Sequence, residues 1–129
     1  MIPVMRTALI NDSTTYALIS KRIFPYSRMS SGKENLPALL WDIQGDELLP
    51  TFTKDSLKKS TVSMMAISQS VSVSESVVDA VANVLDGFTG TGVSSCRLVA
   101  TETGEIEPFD GGDDYYYTHT LTLEVWHTT

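Results

Sequence analysis

The chain alternates between two hydrophobic periods. In "SESVVDAVANVLDGF", Val77, Val78, Val81, Val84, Leu85 and Phe88 return at the spacing of one helical face. Ser72-x-x-Glu75 before them has the form of a capping box, and Gly87 or Gly90 supplies the stop. In the closing stretch "DDYYYTHTLTLEVWHTT" the period is two. Tyr115, Tyr117, His119, Leu121, Leu123 and Val125 share one face of that strand, and Tyr116, Thr118, Thr120, Thr122, Glu124 and Trp126 the other. The first face is apolar enough to meet the helix. The second is Thr-rich and amphipathic, suited to half-burial against a neighbour.

The remaining segments give further elements. Pro3 suits the first turn of a helix carrying Val4, Leu9 and Ile10. Asn11-Asp12-Ser13 breaks it and caps a short second turn through Tyr16, Leu18 and Ile19. "KRIFPYS" reads as a brief strand halted by Pro25, and "LPALLWDIQ" as a strand of about seven residues. Residues 45–57 form an exposed loop or β-arm carrying Leu48, Leu49 and Phe52. "KKSTVSMMAISQS" is a long strand with Val62, Met64 and Ala66 on one side. "VSSCRLVATE" is another, followed by the acidic loop "TGEIEPFDGGDD". The expectation is a single α+β domain over residues 1–129. Two helices pack on one face of a mainly antiparallel or mixed sheet of about four to five strands.

Composition narrows the function. A hydrophobic fraction of 42% with 19% charged residues belongs to a folded globular chain. No apolar run approaches the roughly 20 residues that span a bilayer, so no membrane partner is expected. "MIPVMRTALINDS" lacks a basic segment followed by a sustained apolar one, so no secretory signal is expected. The single cysteine, Cys96, fits a reducing interior. Residues 1–59 carry eight basic and six acidic side chains, a balance of +2; residues 60–129 carry Arg97 against ten acids, a balance of −9. Without a basic patch the chain should not seek nucleic acid phosphates. A pore through which DNA slides without sticking remains compatible.

Candidate chemistry is sparse. His119 and His127 lie on one strand face, but eight residues of strand separate them by roughly 26 Å, too far to share an ion. Cys96 would face His127 if the last two strands turn at Gly111-Gly112, yet no oxyanion turn accompanies the pair. Asp110, Asp113 and Asp114 do not follow the EF-hand order. "LDGFTGTG" lacks the lysine of a phosphate loop and follows its helix. The three consecutive tyrosines must face both ways and follow acids, which disfavours a base-stacking platform. No cofactor, metal or catalytic residue is expected. The alternatives are a small-ligand or peptide-binding module using the Thr-rich face and Trp126, and an enzyme using Cys96 with a histidine.

Four short motifs carry a resemblance: Arg22-Ile23-Phe24-Pro25, Leu36-Pro37-Ala38-Leu39-Leu40, Leu85-Asp86-Gly87, and Leu121-Thr122-Leu123-Glu124-Val125-Trp126-His127. In this order the chain resembles the tail-completion, or tail-terminator, family of long-tailed bacteriophages and prophages. The resemblance implies a virion assembly protein without catalysis, made in the host cytoplasm and placed at the head-proximal end of the tail. Its partners would be further copies in a ring, commonly a hexamer, the tail tube protein, and the head-completion or connector protein. The ring would end tube polymerisation and offer the head–tail joining surface, with DNA passing through unbound. Residues 45–57 depart from the family pattern, so the resemblance gives Leu48, Leu49 and Phe52 no role.

A ring of head-to-tail contacts needs two different patches on each copy. The charge asymmetry suggests Lys54, Lys58 and Lys59 against a neighbour's Glu105, Glu107 and Asp110. Leu48, Leu49 and Phe52 are expected to order on docking. Tyr116 and Trp126 belong to the strand face that a neighbour would cover.

Overall fold

Two local devices start the helical layer. Helix α1 (Ile2–Asn11) has proline in its first turn, where a missing N–H leaves nothing unpaired. It buries Met5 and Leu9, while Val4 and Ile10 are only half-buried. Asp12 then leaves helical geometry, and its carboxylate accepts the Thr15 N–H at 2.9 Å and the Thr15 hydroxyl at 2.8 Å. These bonds favour the charged carboxylate and hold Asp12 below the usual carboxyl range. The expected short turn is thereby a helix in its own right, α2 (Ser13–Ile19), and the fold has three helices where two were expected. The computed structural model describes residues 1–25, 37–49, 57–106 and 116–128, with backbone alone for 46–49, 57, 105, 106 and 128.

Arg22 links this layer to the sheet. Its Nε donates to the Pro37 carbonyl at 2.8 Å and its Nη2 to the Leu18 carbonyl at 3.3 Å. The Leu39 N–H donates back to the Arg22 carbonyl at 2.9 Å. Beside it runs β1 (Ile23–Pro25), parallel to β2 (Ala38–Leu49). The basic residue ahead of the Ile-Phe-Pro segment therefore has a structural role, closing orphan carbonyls at a helix end and a strand entrance.

The sheet has order β1-β2-β3-β5-β4, with β3 (Leu57–Ser68), β4 (Val93–Ile106) and β5 (Tyr116–Thr128). Every pairing but β1–β2 is antiparallel. The fold is thus α+β with a five-stranded mixed sheet, mostly antiparallel. β2 runs for 12 residues rather than about seven, because its second half pairs with β3 from Gly45↔Thr61 to Leu49↔Leu57. The stretch expected as loop or arm is therefore a β-ribbon as far as Leu49 and again from Leu57, and residues 50–56 lie outside the described ones.

Helix α3 (Val71–Leu85) lies across the sheet. It buries Val77, Val78, Val81 and Leu85 against Leu121, Leu123 and Val125 of β5 and Val62, Met64 and Ala66 of β3 in one continuous core. Met5, Leu9 and Ile19 of α1 and α2 join the same core, so all three helices stand on one side. The expected capping box does not form. The N-cap is Ser70, and Ser72 already lies inside the helix, where its carbonyl accepts the Ser76 hydroxyl. Ser68 takes over at the helix entrance: its hydroxyl donates to the Ser70 carbonyl at 2.7 Å and accepts the Ser70 N–H at 3.2 Å. Buried Ser74 sits 2.7 Å from it and donates to the Tyr117 carbonyl at 2.8 Å, fixing the start of α3 on β5.

At the far end Gly87 adopts φ +82°, a conformation that suits glycine. Its N–H donates to the Cys96 carbonyl at 2.7 Å, while the Asp86 carboxylate accepts the Leu98 N–H at 3.0 Å. The turn after the helix thus occupies part of the outer edge of β4, which would otherwise be open to another strand. Two register shifts, between Val93 and Ser95 and between Leu98 and Ala100, act on the same edge. They also move the hairpin register: Cys96 stands opposite Val125, and His127 opposite Val93, not opposite Cys96 as a regular hairpin would have it.

Truncating Leu123, fully enclosed between helix and sheet, should cost about 2–5 kcal/mol in denaturant unfolding of Leu123→Ala. For Asp12 the depressed folded pKa means its contribution is complete above the unfolded carboxyl value of about 3.9 and disappears as pH falls through the lower folded one. Asp12→Asn should accordingly flatten the acid limb of the stability–pH curve; an unchanged limb would remove Asp12 as its source.

Candidate functional site

With the helices on one side, the other face of the sheet is open in its centre, and among the described residues no helix covers it. Strand alternation sets what it presents. Asp42 comes from β2, Lys59, Thr61, Ser63 and Met65 from β3, Thr120, Thr122, Glu124 and Trp126 from β5, and Arg97 and Glu102 from β4. Asp42, Arg97 and Glu102 are exposed and the rest are half-buried. Toward one end this face closes into a small second core of Ala38, Leu40, Ile67 and Tyr116, with Phe24 and Met65 against it. Tyr116, expected to await a neighbour, is only 2% exposed and already enclosed within its own chain. The strand face therefore splits: its start is core and its end is surface.

The surface end carries an ion cluster. Glu124 accepts Arg97 at 3.1 Å and stands 3.4 Å from Lys59. The Lys59 ammonium also lies 5.8 Å from the centre of the Trp126 ring, within cation–π range. Two cations share this one carboxylate, while Asp42 and Glu102 add exposed acids elsewhere on the same face. Lys58 does not join the cluster. Its register partner is His127, whereas that of Lys59 is Trp126, so adjacent lysines face opposite sides of the sheet. The expected Lys54–Lys58–Lys59 patch is thus divided between faces at Lys58 and Lys59, with Lys54 outside the described residues. Of the acids set against it, Glu105 is a β4 strand position rather than a loop residue. Glu107 and Asp110 lie outside the described residues, as does Phe52, while Leu48 and Leu49 are backbone positions of β2.

Among the described residues the surface includes shallow depressions. One of about 210 Å³ lies on the open face between Leu40, Asp42, Ser63, Met65 and Thr120. Another, of about 630 Å³, runs between α2 and α3, lined by Ser13, Thr14, Ala17, Ser76, Asp79 and Asn83. A third, of about 470 Å³, lies between the start of α3 and the β4–β5 hairpin and includes His119. His119 Nδ1 is buried there without a hydrogen-bond partner among the described residues.

Groups that invite a catalytic reading are placed where they cannot act on a substrate. The Ser60 hydroxyl is 2.6 Å from His127 Nε2, but Ser60 is fully enclosed. Burial pushes the Cys96 thiol up to about 11, with the Asp86 carboxylate adding to the effect, so the nucleophilic thiolate is scarce at neutral pH. Among the described residues no three His, Cys, Asp or Glu side chains group to hold a metal. No described helix is long and apolar enough to cross a membrane.

Sheet, helices and open face together define a small α+β protein whose described helices all stand on one side. No family model and no curated protein matches the chain. The architecture does occur in a solved assembly: a chain of the virion of a native gene transfer agent (GTA) particle matches it with a TM-score of 0.63, covering 98% of this chain and 93% of that one, at 12% identity. Identity at that level carries the fold.

Cys96 should react with a thiol reagent at neutral pH only slowly in the folded protein and rapidly once denatured. Fast labelling of the native chain would contradict the burial that keeps it inert.

Proposed function

We propose that this chain is a structural protein of a phage-like virion, and that it forms a ring on the end of the tail tube. There it halts tube polymerisation and offers the surface to which the head connector docks. The observation that carries the reading is a whole-chain likeness in fold to a virion protein, 98% of one chain against 93% of the other. The order of the four motifs along the sequence points the same way. The motif residues themselves are structural: Arg22 ties helix to sheet, Asp86 and Gly87 cover a strand edge, and Leu121, Leu123 and Val125 hold the helix. Such residues specify a scaffold, and the scaffold's open face, lying opposite its helices, provides the two unlike patches that a head-to-tail ring requires. In this reading the protein has no catalytic role, and its partners are copies of itself, the tube and the connector.

Deleting the gene should yield tails of abnormal tube length that do not join heads, and adding the purified protein to such tails should place a ring at one end, visible by electron microscopy. Tails of normal length that join heads without the protein would contradict the proposal.

A further inference from the structure

We draw no further inference here: the strongest candidate, the depression between the start of α3 and the β4–β5 hairpin with His119 in its wall, carries nothing, because the buried Nδ1 of that histidine is closed off from solvent and nothing in the structure shows what would fill the space beside Glu75.

Discussion

One contact organises the molecule: the apolar stripe of α3 against alternate residues of β5 and β3. Val77, Val81 and Leu85 meet Leu121, Leu123 and Val125, and everything else is arranged around that seam. Because both elements bury one side, the seam fixes which face of every strand points inward. It also gathers α1 and α2 to the same side, since Met5, Leu9 and Ile19 find their large apolar partner there. The consequence is a sheet with an open reverse face. The polar devices at the two ends of α3 preserve this arrangement: the Ser68–Ser74–Tyr117 chain anchors its start to β5, and Asp86 with Gly87 anchors its end to β4.

Much of this was legible in the residues, and what was missed has physical reasons. The period of α3 and the alternation of β5 each bury a full stripe, and signals repeated over many residues are hard to mistake. The same alternation placed Leu121, Leu123 and Val125 inward and Trp126 outward. Helix caps are settled by single hydroxyls. Ser68, Ser70 and Ser72 are alike in sequence, and only the position of β5 decides that Ser68 and Ser74 bond while Ser72 enters the helix. Register bulges in β4 are equally invisible, because they arise where the α3 turn grips the strand edge, and so the Cys96–His127 pairing failed.

The candidate surface was legible in part. Alternation along a strand is enough to split Lys58 from Lys59, so the residues themselves argue against a single lysine patch. Tyr116 is different: its face was right and its burial was not foreseeable, since the second core it joins draws Ala38, Leu40 and Ile67 from two other strands. The ion cluster of Lys59, Glu124 and Arg97 likewise depends on three strands lying side by side. Separations in sequence of this kind leave no local pattern.

The proposed ring role asks for no pocket with reactive groups. The most direct test is a cryo-electron microscopy map of the tail end bearing this protein. The expected result is a closed ring of this protein at one end of the tail tube. Density for the protein that does not close into a ring, or tails with no density for it at either end, would contradict it.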